Sequence, residues 1–334
     1  MKRTIIIVLG VAIGIGGSFA LRKIVTKPPI PTTVPVDSSA KQKHDEEERR
    51  KIAWKLIAPR MEIAHEETLK AMEARTQEVR DFFTERQKRV PAYAERVLSL
   101  RSKWELAKSK VPGADKEAHT SFLKEEFSKL VFSEAELGQA VTHAAEDYVR
   151  DVDAIDNALL VTIRADLKDM PDCMDVLPDL KTEELFRERF LKEIGALSKK
   201  TGADATVDVS RLVGSEIAAV ITVRVGIAVA ERLGVSAAIL GTGAAGGLET
   251  VGVSIVAGII VDQIAGWVIG WLYKPEVEIA KKLGSGLDEL SALIVNGDEK
   301  TQGLKQELGA LAEKRKRVRD AALREVILQP GAAR

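Results

Sequence analysis

The polar and apolar positions of the chain fall into three kinds of stretch, and each predicts a different element. In the first, Leu69, Met72, Thr76, Val79, Phe83, Arg86, Val90, Tyr93, Val97, Leu100 and Trp104 recur in alternating steps of three and four. That spacing turns one helical face the same way for about five heptads. It predicts a long heptad-patterned helix over 41–110, closed by "KVPGAD" and kinked at Pro91. Such a seam serves either an oligomeric coiled coil or one helix of an intramolecular bundle. Phe83, Tyr93 and Trp104 are bulky for a two-stranded coiled coil, which favours the bundle.

A second helical block is expected over 111–203. Ser133 and Glu136 have the spacing of a capping box, so a helix should start there and run through "AVTHAAEDYVRDVDAIDNALLVTIRADL". Pro171 and Pro178 stop it, and Leu185, Phe186, Phe190, Leu191 and Ile194 mark the next helix. Two amphipathic helices follow over 275–328, the second with a core face at Leu304, Leu308, Leu311, Val318 and Ala322. Strand-like alternation is confined to "ATVDV" at 205–209, so an all-α protein is expected.

The third kind of stretch is nearly free of charge. After Lys2 and Arg3, residues 4–21 form an apolar run of about 18 residues, the length of a minimal membrane span. "SFA" at Ser18–Ala20 would pass as a signal-peptide cleavage site, but the run is long for a signal peptide and Arg22 and Lys23 follow at once. A retained single-pass anchor over 1–27 fits better, with most of the chain extracytoplasmic. Positive charge flanks both ends, so orientation follows only weakly from it. "KPPIPTTVPVDSS" then makes a stiff Pro-rich spacer over 28–40.

Residues 211–274 repeat the apolar character as a glycine-rich hairpin. Val251–Tyr273 carries a single charge, Asp262; at about −0.3 to −0.6 kcal/mol per strongly apolar residue against about +3 for a central carboxylate, insertion into a bilayer is favourable. Trp267, Trp271 and Tyr273 read as interface anchors closing that segment. Its partner, 212–230, holds both Glu216 and Arg224 and should not insert alone. Small residues recur every fourth position in both: Gly214, Ala218, Thr222, Gly226 and Ala230, and then Thr250, Ser254, Gly258, Asp262, Gly266 and Gly270. Such ridges let helix backbones approach closely where no hydrophobic drive separates helix from lipid. Asp262 lies on its ridge and should face protein. Glu216 and Arg224 lie about 80° apart, so Arg224 is expected to neutralise Asp262 or Glu216 in an intramembrane charge cluster. The alternative is that these groups face solvent at an edge.

"ILGTGAAGGLETVG" between the two segments contains G-x-G-x-x-G at Gly241, Gly243 and Gly246, with Asp262 about 20 residues on, as in a dinucleotide fold. A Rossmann unit needs a strand ending at that acid, and here the apolar run continues straight through it. The glycines read instead as the turn of the hairpin.

Composition narrows the function. With 50 basic and 50 acidic residues the chain has no field for nucleic acid. His44, His65, His119 and His143 lack ligand spacing and read as surface residues; Cys173, the single cysteine, reads as a bland thiol. Asp147, Asp151, Asp153 and Asp156 read as a solvated face rather than a calcium loop, and "KRKR" at 314–317 as a solvated surface, with an anionic headgroup site as its alternative. No catalytic residue, cofactor or metal is expected. The picture is a membrane-anchored long helical bundle or coiled coil with a glycine-rich hydrophobic helical hairpin. Its expected function is non-enzymatic: a homo-oligomeric scaffold or adaptor in the cell envelope, meeting the lipid bilayer and a protein partner through helical faces. One alternative is a pore or transport component with Asp262 in the conduction path; a third reading makes the hairpin merely the buried core of a helical domain. In outline, long helices around an apolar hairpin resemble helical pore-forming toxins and colicins; no residue motif carries that resemblance, and no family is assigned.

Overall fold

A computed structural model describes residues 38–99, 102–103, 107, 118–200, 215–232, 251–271 and 274–329, with no strand among them. The expected anchor, most of the spacer, Leu100, Trp104, the stretch at 205–209, Gly214, the glycine-rich turn at 241–247 and Tyr273 lie outside these residues. The chain divides into two compact units, Met1–Lys43 and His44–Arg334, and the second is the helical body.

Helix α1 spans Ser38–Gln87, starting within the expected spacer, and α2 spans Val90–Val97. The single long helix expected here is therefore broken rather than kinked. Pro91 takes a first-turn position of α2, where its missing N–H would have had no partner anyway. The seam survives the break: Met72, Thr76, Val79, Phe83, Val90, Tyr93 and Val97 are buried, and Ala53, Ile57, Met61, Ala64 and Thr68 extend it upstream. These faces point into the body of the same chain. Aromatic rings fill the corner, with Phe132 edge-on to Phe127 at 5.0 Å and Phe83 at 5.9 Å.

Helix α3 covers Ala118–Leu130 and α4 covers Glu134–Lys168. The capping box forms as expected: the Ser133 hydroxyl accepts from the Glu136 amide at 3.2 Å, and the Glu136 carboxylate accepts from the Ser133 amide at 2.7 Å. After a helical turn at Pro171–Met174 and a 3-10 turn at Pro178–Leu180, α5 covers Glu183–Lys200. The apolar segments form α6, Ser215–Arg232, and α7, Val251–Trp271. The returning helices are α8, Glu276–Asn296, and α9, Leu304–Leu328. The α8–α9 turn depends on two glycines. Gly297 has φ +68°, and a Cβ there would lie 2.1 Å from the Thr301 carbonyl oxygen; one at Gly303 would lie 2.3 Å from the Gly297 nitrogen.

The apolar hairpin sits inside this body. Helix α6 packs against α4, α7, α8 and α9, and α7 packs against α3, α4, α6 and α8. No residue from Ile217 to Ala230 is exposed. A helix that is apolar on every side needs neighbours on every side, and amphipathic helices supply them by turning their apolar faces inward and their charges outward.

Candidate functional site

The two ridges of small residues behave differently. On α6, Ala218, Thr222 and Ala230 are buried and Gly226 is half-buried, with the Thr222 hydroxyl donating to the Ala218 carbonyl at 2.8 Å. On α7, Gly266 and Gly270 are exposed, and a Cβ built on either meets nothing within 4 Å. The expected packing of the second ridge is therefore not found at these positions: α7 buries Ile260, Val261, Ile264, Ala265 and Val268 and turns Gly266 and Gly270 outward. The side chains at Ser254 and Gly258 lie outside the described residues. Ala218→Leu should cost about 1–3 kcal/mol by overpacking. Gly266→Ala should stabilise by roughly 0.5–1 kcal/mol, because alanine loses less backbone freedom in a helix. Thermal unfolding followed by circular dichroism measures both.

The charges of the hairpin pair differently from expectation. Arg224 Nη1 lies 3.4 Å from Glu307 Oε2 on α9, and Asp262 lies 2.6 Å from Lys124 Nζ on α3. The side chain of Glu216 lies outside the described residues. Arg224 and Asp262 thus do not neutralise one another; each ties its helix of the hairpin to an enclosing helix. Arg232 adds a third tie, 2.8 Å from Asp298 in the α8–α9 turn. Asp262 is half in solvent, so the salt bridge it makes is weak by comparison with a buried pair. Burial, with the Asp262 charge as a second cause, raises the pKa of nearby Glu134.

The strongest electrostatic feature lies between α1, α4 and α9. Asp156 is 4% exposed and accepts from Arg315 Nε at 2.7 Å and from Arg319 Nη1 at 3.1 Å. Arg315 also donates to Asp153 at 2.9 Å, and Arg319 to the Met61 carbonyl at 3.2 Å. Farther along, Arg75 of α1 reaches Asp151 at 2.8 Å and Asp147 at 3.9 Å. This overturns two expectations at once. The acidic run on α4 is not a solvated face, and Arg315 in "KRKR" is buried rather than solvated. The two runs are partners across the core, which neither periodicity alone reveals.

Asp320 borders this cluster, 3.7 Å from Arg319 Nε, and burial raises its pKa above the usual carboxylate range. An acid whose folded pKa is raised contributes stability below its unfolded pKa and loses it as pH climbs through the folded one. Asp320→Asn should therefore raise the melting temperature at pH 7, and the gain should shrink as the pH is lowered and the wild-type carboxyl takes up its proton.

Other candidate chemistry resolves into structure. His119 is buried, contrary to its expected surface position, with Nε2 3.2 Å from the Ser102 hydroxyl. A serine and a histidine at that distance have the geometry of a nucleophile and its base. Ser102 is 1% and His119 3% exposed, so a substrate would have no approach. His65 lies 3.2 Å from Glu313, while His44 and His143 are exposed. Cys173 is buried against the Arg49 carbonyl at 3.6 Å, and burial pushes its thiol pKa up. Among the described residues no group of three potential metal ligands converges, and no helix is long and apolar enough to cross a membrane.

Two surface features remain. Trp267 and Trp271 stack with centroids 6.4 Å apart beside α8. A groove of ≈ 390 Å³ between α1 and α4 is lined by Ile63, Ala154, Ile155, Ala158 and Leu159, with Arg60 and Glu67 at its rim. The tryptophans were readable as boundary residues; the groove was not, because it needs two helices to form. Comparison with family models, with curated proteins and with solved structures finds no match.

Proposed function

We propose that this chain is a non-enzymatic, membrane-anchored scaffold that self-associates through α1. The observation that supports this reading is the outward face of α1. As a helix of 50 residues, α1 is a rod about 75 Å long. It exposes Ile52 (46%), Leu56 (37%) and Ile63 (49%) beside the apolar groove it shares with α4. Arg60, bonded to Asp166 of its own chain at 2.8 Å, and Glu67 stand either side of Ile63. A second copy packed antiparallel along this face brings Arg60 of each rod opposite Glu67 of the other, the self-complementarity a two-fold interface requires. Held to a bilayer by residues 1–27, such a pair is a stiff, divalent support.

Carbonate extraction of cell membranes, followed by mass determination of the solubilised full chain, tests this. The expected result is membrane retention and a stable oligomer that Ile52→Glu with Ile63→Glu reduces to monomers while helicity is kept. A monomeric wild-type chain overturns the self-association.

The enclosed hairpin favours a second reading, a pore or transport component that exposes α6 and α7 to lipid. Its mark is ion leakage from liposomes that disappears in Asp262→Leu. A stable oligomer without leakage supports the scaffold.

A further inference from the structure

We infer that the corner where α7 meets α8 is a docking surface for anionic phospholipid headgroups; this rests on the membrane association proposed above and names what the body itself touches there. Trp267 and Trp271 sit one turn apart and stack at an interplanar angle of 30°. Trp267 is seated over Gly286: a Cβ at that position would lie 3.0 Å from the ring, so the absence of a side chain there lets the indole lie against α8. Lys282 Nζ stands 5.5 Å from the centroid of Trp271. The two indoles, Lys281 and Lys282 line one side of an open groove of ≈ 580 Å³.

The charges around the groove distinguish its ends. Glu278 is engaged by Lys274 at 3.1 Å, and Glu289 closes the end farthest from the interhelix turn. Among the described residues neither Lys281 nor Lys282 has a carboxylate partner, and Lys282 stands over the Trp271 ring. One turn before Lys281, Val277 is 80% exposed, the most exposed large apolar side chain among the described residues. Two lysines without carboxylate partners among the described residues, two indoles that are apolar in body and polar at the N–H, and an exposed valine one turn away supply the three chemistries that a leaflet surface takes up. The ammonium groups meet the lipid phosphodiester, the indoles lie at the headgroup level where tryptophan is enriched, and the valine reaches the acyl boundary. A soluble phosphate ester offers the lysines the same anion but gives Val277 and the indoles nothing apolar to enter.

The test uses the full chain with Trp54→Phe and Trp104→Phe, so that emission reports only on Trp267 and Trp271. It is mixed with phosphatidylcholine vesicles, with and without phosphatidylglycerol, carrying a nitroxide on the headgroup. Quenching is expected, and stronger with the anionic lipid. Each lysine near an anionic leaflet is worth about fivefold, so Lys281→Gln with Lys282→Gln should weaken docking about 30-fold, with the melting curve showing that the variant is folded. Unquenched indoles on a chain that sediments with vesicles overturn this inference and leave the anchor standing. A chain that does not sediment with vesicles overturns both. Quenching indifferent to the lysine substitutions overturns the phosphate contact, and an emission change with soluble glycerol phosphate but none with vesicles overturns the lipid as its source.

Discussion

Asp156→Ala is expected to lower the unfolding free energy by about 3–5 kcal/mol. The carboxylate is 4% exposed and is the shared acceptor of Arg315 and Arg319, themselves 4% and 1% exposed. Removing it leaves the Arg315 guanidinium with Asp153 alone, and the buried Arg319 guanidinium with the Met61 carbonyl and with Asp320 at 3.7 Å, so both lose the buried carboxylate they share. Urea unfolding followed by circular dichroism measures the loss. The companion experiment separates the pair from its geometry: replacing the trio together, Asp156→Leu with Arg315→Met and Arg319→Leu, should restore most of the stability, because apolar groups of similar volume remove the desolvation cost along with the attraction. A trio variant as unstable as Asp156→Ala would mean that the network does more than neutralise itself.

Phe132→Ala is expected to cost about 3–5 kcal/mol. Its ring is fully buried and lies 5.0 Å from Phe127, 5.6 Å from Phe82 and 5.9 Å from Phe83, centroid to centroid. Those partners sit on α1 and α3, so the truncation opens a void where two helices are joined rather than at the margin of one. Neighbouring contacts argue the same way: Tyr93 stacks edge-on with Phe127 at 5.4 Å and donates its hydroxyl to the Leu123 carbonyl at 3.2 Å. Thr84→Ala, at an exposed position of the same helix, should stay within about 0.5 kcal/mol of wild type and serves as the control. Both are read from denaturant midpoints at constant slope.

Local rules were the legible part of this chain. The seam from Met72 to Val97 and the Ser133–Glu136 cap follow from spacing within one helix, and the structure places both as their spacing requires. Pro91 and Pro59 mark the limit of such rules. Pro91 opens α2, whereas Pro59 lies inside α1, at an interior position where proline normally breaks a helix. What sequence could not supply was the identity of facing residues. Asp153, Asp156, Arg315 and Arg319 lie in charge-rich runs that read as solvated, and only the approach of α9 to α4 turns them inward. The same holds for Asp262 and Arg224: charge count showed that each needed a partner, but Lys124 and Glu307 come from helices more than eighty residues away in sequence. The ridges show the opposite failure. Gly266 and Gly270 have the spacing of a packing surface, yet spacing cannot say whether a neighbour is present.

The wrapping of α6 has a consequence for biosynthesis. Three of the four helices that surround it, α7, α8 and α9, come later in the chain, and α9 ends at Leu328. At about 5–20 residues per second, a ribosome needs roughly 5–20 s after releasing Arg232 to complete that cover. Through this interval the nascent chain carries an oily cylinder with part of its coat missing, so a premature stop anywhere before α9 delivers a product destined for chaperones or proteases rather than a shortened working protein.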